Sequence, residues 1–132
     1  MMGRTYSIRQ LTKEMGVTSR TLRHYEDEGL LTPERQGLAR IYSQRDRARL
    51  TLILRGRRVG FSLAEIHEIL DLYDRGDGGT KQNIHARAKF AERIDALERQ
   101  KKDIEDSLVE LHRAVGQMDD HLSKHGARIA AE

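Results

Sequence analysis

The chain has 132 residues, enough for one domain or for one small domain with an extension. Hydrophobic residues make up 37% and charged residues 34%, too little apolar surface for a large core but suited to a small core joined to a long helical element. With no cysteine, disulfides and thiolate metal sites are excluded, and no apolar run is long enough for a membrane span or a signal-peptide core, so the expected location is the cytoplasm.

A net charge of +3 says little by itself, but its distribution says more. Residues 1–60 hold 13 Lys and Arg against 6 Asp and Glu, whereas residues 61–132 hold 11 against 15. A basic front half beside an acidic back half fits a nucleic-acid-binding module joined to a different kind of element. All but one of the front-half cations are arginine, whose forked donors match phosphates and guanine edges.

Ser7 is placed to cap a first helix with Ile8, Leu11 and Met15 on one face, and Gly16 ends it. Thr18 or Ser19 caps a second helix that turns Leu22 and Tyr25 inward and stops at Gly29. Two short capped helices joined by a tight glycine-containing turn make a helix-turn-helix. The exposed face of the second helix carries Arg20, Arg23 and His24, with Ser19 at its head, the composition of an element that enters a nucleic-acid groove. Arg20 and Arg23 are the candidates for base edges. Tyr25 is a candidate for a divided role, ring inward and hydroxyl to a phosphate.

Pro33, the Gln36-Gly37 turn and the pair Ile41-Tyr42 predict a small hairpin, a wing carrying Arg35, Arg40 and Tyr42 as candidate DNA contacts. Ser43 caps a third helix with Leu50, Ile53 and Leu54 buried, and Gly60 stops it. Its final turn holds Arg55, Arg57 and Arg58, which can complement the helix dipole, grip phosphates beside the wing, or both; Arg58 is taken as a phosphate contact. Ser62 and Glu65 form a capping-box pair opening a fourth helix with Leu63, Ile66, Ile69, Leu70 and Tyr73 inward.

Three glycines between Arg75 and Thr80 predict a flexible joint at 76–82. Beyond it, Phe90, Ile94, Leu97, Lys101, Ile104, Leu108, Leu111, Val115, Met118 and Leu122 alternate at spacings of four and three without a slip. This is a heptad seam with Lys101 as its one polar position. A helix of about 40 residues is about 60 Å long and cannot bury such a seam on so small a domain. It needs a second copy of itself.

Other features point nowhere specific. Gly76 to Lys81 lacks the spacing of a phosphate loop, and no strand precedes it. His121 and His125 stand at i and i+4 with no third metal ligand evident. Asp103, Glu105 and Asp106 read as a solvated coil face. With no catalytic signature, the chain is not expected to be an enzyme, and no cofactor or metal is expected.

The segments Tyr6-Ser7-Ile8, Gly16-Val17-Thr18, Arg20 to Glu26, Gly29 to Pro33, Arg40 to Ser43 and Val59 to Ile66 occur in one order. As an ordered set over residues 6–73 they resemble the MerR family of bacterial transcription regulators. That resemblance implies a mainly α fold, with a winged helix-turn-helix domain followed by a long dimerisation helix in an antiparallel coiled coil. It implies a homodimer on a pseudo-palindromic double-stranded promoter, twisting an overlong spacer so that RNA polymerase engages both promoter elements. By position it makes Arg20, Arg23, His24 and Tyr25 recognition-helix contacts, and Arg40 and Tyr42 wing contacts.

Family metal sensors carry cysteines near the end of the dimerisation helix, and this chain has none. Multidrug-sensing members carry a large C-terminal ligand domain, whereas about eight residues follow the coil here. Two residues separate Gly37 from Arg40, where many members have one. Residues 53–63 and 71–74 are similar to the LiuR-like branch, which implies control of branched-chain amino acid breakdown and an acyl-CoA or related catabolite as effector at the dimer interface. The expected layout is a DNA-binding domain over 5–75, a joint over 76–82, a dimerisation helix over 83–124 and a flexible tail over 125–132. Two alternatives stay open at this point. One is an architectural or excisionase-like DNA binder without an effector, and the other a coiled-coil interaction protein whose basic half binds an acidic protein.

Overall fold

The computed structural model describes residues 3–74 and 80–126. Most of the expected joint at 76–82 and of the tail at 125–132 therefore lies outside the described residues. The chain divides into two compact units, the first ending at Lys89 and the second beginning at Phe90.

The first unit opens with β1 (Tyr6–Ser7) and α1 (Ile8–Met15), followed by α2 (Ser19–Asp27). Ser7 caps α1 through a reciprocal box with Gln10, its hydroxyl accepting from the Gln10 N–H at 3.1 Å while Gln10 Oε1 accepts from its N–H at 2.8 Å. Thr18, rather than Ser19, caps α2, accepting from the Thr21 N–H at 3.1 Å. After α2 the chain folds back: Gly29 N–H donates to Glu26 O and Leu30 N–H to Tyr25 O, which drops Leu30 and Leu31 into the core.

The wing is β2 (Glu34–Gln36) and β3 (Ala39–Tyr42), paired antiparallel with Gln36 opposite Ala39, so that Gly37 and Leu38 form a two-residue turn. Gly37 has φ 62° and Leu38 has no positive φ, the pattern of a tight hairpin turn that requires glycine at its first central position. β1 lies on the other edge of β3, with Tyr6 opposite Tyr42, giving a three-stranded sheet in the order β1-β3-β2.

Helices α3 (Gln44–Arg58) and α4 (Leu63–Asp74) close the core. Ser43 and Asp46 form the box that starts α3, and Ser62 and Glu65 the one that starts α4. The two helices pack so closely at Gly56 that a methyl group there would lie 2.9 Å from Ile66 Cγ1. Leu11, Leu22, Leu30, Leu31, Leu50, Ile53, Phe61, Ile66 and Leu70 fill the interior, each side chain contributing about 1.5–3 kcal/mol by leaving water. Tyr73, expected inward on α4, has a side chain outside the described set.

Asp46 is the one charged residue buried in this unit among the described residues. Its carboxylate accepts from the Thr32 N–H at 3.2 Å, the Ser43 N–H at 3.1 Å and the Ser43 hydroxyl at 3.2 Å. Arg49 Nε donates to Leu30 O at 2.9 Å, and Arg47 of α3 pairs with Glu14 of α1.

Helix α5 (Thr80–Lys124) starts in the first unit and supplies the second. Its first turns, in which Ala86 is buried, are fastened to α4 by Glu68, which pairs with Lys89 at 3.0 Å and His85 at 3.3 Å. Those two donors hold the Glu68 carboxyl below its ordinary range. Among the described residues the second unit is a single amphipathic helix. Phe90, Ile94, Leu97, Ile104, Leu108, Leu111, Val115 and Met118 each leave 38–63% of their surface in solvent; Lys101 is exposed and Leu122 half-buried.

Candidate nucleic-acid interface

Helix α2 turns one side to the core, burying Leu22 and Tyr25, which leaves Arg20, Arg23 and His24 together on the opposite, exposed side. Ser19 sits in the first turn, half-buried. Neither Arg20 nor Arg23 has an ion-pair or hydrogen-bond partner among the described residues. The His24 ring lies beside that of Tyr25, centroids 6.2 Å apart. Arg58, at the last position of α3, is likewise exposed and unpaired among the described residues, whereas Arg57 donates to Phe61 O at 3.0 Å. Three guanidiniums with their full donor set free can recognise phosphates or guanine edges without first breaking an internal bond.

The wing arginines are different. Arg35 Nη2 donates to Glu26 Oε1 at 2.8 Å and Arg40 Nε to Glu26 Oε2 at 2.7 Å, so one carboxylate on the recognition helix holds both. Arg35 and Arg40 are also directly opposite each other across β2 and β3, a like-charge pair that would repel without that carboxylate. Burial pushes the Glu26 carboxyl up, but the bonds from Arg40 and Arg35 outweigh it and hold it below the usual range. The Arg40 side chain is 21% exposed and that of Arg35 51%.

Tyr42 requires a correction. As a wing contact it would have to be exposed, yet it is wholly buried, and its hydroxyl finds no hydrogen-bond partner in the protein. Burial pushes that hydroxyl above the ordinary tyrosine range. Strand alternation explains the error: Arg40 and Tyr42 share one face of β3, and that face looks toward the core and α2. Tyr25 is 7% exposed, in keeping with its ring being packed inward.

Two family models match the chain, each over half its length. One, described as MerR HTH family regulatory protein, covers residues 6–72, and the other, described as MerR, DNA binding, covers residues 47–114. The chain belongs to the MerR family. The regulator CueR of Salmonella typhi is 30% identical over 95 residues, spanning 70% of this chain and 67% of CueR. Among solved structures, the N-terminal part of Mta, the multidrug transporter activator of Bacillus subtilis, superposes with a TM-score of 0.64 at 29% identity, over 83% of this chain and 97% of that one. HiNmlR, described as a MerR family regulator lacking the sensor domain and solved on promoter DNA, shares the fold with a TM-score of 0.53 at 23% identity, over 94% and 92% of the two chains.

This member of the MerR family is a DNA-binding transcription regulator and not an enzyme. That sets aside the reading of its basic half as a dock for an acidic protein. Among the described residues no helix is long and apolar enough to cross a membrane, and no group of three His, Asp or Glu could hold a metal. His121 and His125 stack with centroids 4.2 Å apart, and His125 Nδ1 lies 2.9 Å from His121 O. Glu26, which holds both wing arginines, is the residue of this surface that the sequence alone does not single out; its signal is an acid directly after the inward-facing Tyr25 on a helix that also carries Arg20 and Arg23.

Proposed function

We propose that the protein binds a pseudo-palindromic promoter as a homodimer, joined through an antiparallel pair of α5 helices, and alters spacer geometry for RNA polymerase. The observation that carries this reading is the pairing of two unsatisfied surfaces on one chain. Arg20, Arg23 and His24 lie exposed on the recognition helix, and seven apolar seam residues from Ile94 to Met118 lie exposed on α5. The first surface calls for an anionic, edge-bearing partner, and the second calls for an equally periodic apolar helix, which a second copy supplies. Residues 5–75 are the DNA-binding domain in this reading, 76–82 the joint and 83–124 the dimerisation helix.

Arg20 and Arg23 read base edges, with Ser19 and His24 beside them. Arg58 and the remaining donors of Arg35 and Arg40 take phosphates, and the Tyr25 hydroxyl is assigned to the backbone. HiNmlR, which lacks a sensor domain, was solved on promoter DNA, and this supports promoter binding by the fold without such a domain. The similarity of residues 53–63 and 71–74 to the LiuR-like branch supports control of branched-chain amino acid catabolism. An acyl-CoA or related catabolite would then act at the dimer interface.

Fluorescence anisotropy with the chain's own upstream DNA against scrambled DNA, at about 150 mM salt, tests the reading. A preference of about 10³ or more is the expected result. Equal, steeply salt-dependent binding to several candidate promoters and to scrambled DNA would replace it with an architectural role. Branched-chain acyl-CoA added to the specific complex should change its affinity or its effect on transcription; no change in either removes that effector class.

A further inference from the structure

Among the cations that surround the recognition helix, two are already engaged. Arg35 and Arg40 each give one nitrogen to Glu26, at 2.8 and 2.7 Å, while Arg20, Arg23 and Arg58 give none to any described residue. The Glu26 side chain is 18% exposed, wedged between its own helix and the wing. One negative charge therefore serves two positive ones that stand opposite each other in the hairpin.

We propose that Glu26 is a specificity-determining residue: it occupies the wing arginines as an internal stand-in for a phosphate, which suppresses binding to DNA of arbitrary sequence. The physical basis is counterion release. A cation that leaves bulk counterions for a DNA phosphate contributes to affinity for any sequence, and a cation already neutralised by a carboxylate contributes much less. Random DNA offers no base contacts to Arg20 and Arg23, so the wing cations would make up a large share of its binding. On the correct site the base contacts dominate, and the wing contributes through donors that Glu26 leaves free: Nη1 and Nη2 of Arg40, Nε and Nη1 of Arg35. Glu26 thus lowers the affinity for wrong DNA more than that for the right one, a use of repulsion and competition to gain selectivity. It also orients both forks, since each is held at one defined nitrogen. This inference rests on the wing approaching DNA as proposed above.

The test compares wild type and Glu26→Gln in the 132-residue chain, on specific and random duplexes, from about 50 to about 300 mM KCl. Glutamine keeps the size and one acceptor but removes the charge. Random-DNA affinity should rise about tenfold at 100 mM salt, and the slope of log K against log salt should steepen by about one to two units, as expected for up to two additional phosphate contacts. Specific affinity should rise less, so the specificity ratio falls. Glu28→Gln, which removes the same charge from an exposed residue without an arginine partner among the described residues, should steepen the slope by less. Placing Arg35→Gln and Arg40→Gln in the Glu26→Gln background should abolish the gain. Unchanged or weaker random binding by Glu26→Gln, with an unchanged slope, would overturn the proposal and leave Glu26 as a wing fastener. If Glu26→Gln does not fold by circular dichroism, Arg35→Gln decides: its random-DNA affinity should stay within about twofold of wild type, whereas a tenfold loss means Arg35 was never occupied. A wild type with no sequence preference would instead overturn the promoter reading itself.

Discussion

The two units of this molecule handle apolar surface in opposite ways. The head, residues 3–74, buries most of its described leucines and isoleucines within one chain, down to complete burial at Leu11, Leu22, Leu50 and Ile53, with Leu38 at the wing tip and Leu52 left exposed. Residues 90–118 carry an equally regular apolar stripe and leave about half of each apolar seam side chain in water. The difference is one of dimension. Four short helices and a small sheet can enclose a volume, whereas a lone helix can only present a line. The head is finished as a monomer and its spare chemistry is polar; the long helix is unfinished, and its spare chemistry is apolar.

The largest effect should come from charging the unfinished surface. Leu108→Asp places an acid in the middle of the seam, and sedimentation should show monomer at concentrations where the wild type is a dimer. An unchanged dimer mass would show that the helices do not meet along this seam. The converse change, Leu50→Ala, should cost the head about 2–5 kcal/mol in denaturant unfolding by opening a cavity in a filled core. If the contrast is right, the folded variant keeps its dimer mass. Arg23→Ala touches only the spare polar surface and should cost about 1–3 kcal/mol on the specific site, with melting temperature unmoved; an equal loss on random DNA reassigns it to the backbone.

Acid should act more gently, and on the head first. The folded-state carboxyls of Glu14 and Glu26 are depressed, chiefly because Arg47 donates to Glu14, and in Glu26 because Arg40 and Arg35 outweigh burial. Their stabilising contribution is complete above the ordinary glutamate range and is lost as pH falls through the depressed values. Melting followed from neutral pH downward should show a fall in that acid window that is smaller in Glu26→Gln. The pairs on α5, such as Lys102 with Asp106, are largely exposed and should add little. Tyr42→Phe should have the smallest effect, within about 1 kcal/mol and toward greater stability, because the hydroxyl it removes is buried without a partner. A loss of several kcal/mol would mean that this hydroxyl is satisfied in solution.

The helices are legible in the sequence because each announces itself twice, by a cap and by a stripe. Ser7, Thr18, Ser43 and Ser62 all hold the N–H three residues on, and the apolar positions after them face inward. Strand β1 is not legible, since two residues cannot display an alternation, and its existence depends on β3 being there to pair with. The bare arginines of α2 follow from helical geometry alone. The roles of Arg40 and Tyr42 do not, because they depend on which face of a four-residue strand meets the core. Glu26 is harder still: its partners lie 9 and 14 residues away, across a turn whose register only the folded hairpin defines.

Asp46 has a consequence for how the head can vary. Its carboxylate binds the chain at Thr32, just before the wing, and at Ser43, just after it. The hairpin is thereby a loop with a tied neck, and whatever happens to its length between those points stays outboard of the knot. The turn of Gly37 and Leu38 lies outboard of that neck, between Gln36 and Ala39. A longer or shorter tip would therefore leave the bonds of Asp46 to Thr32 and Ser43 in place, so that one buried acid uncouples the reach of the wing from the seat of the helices on either side of it.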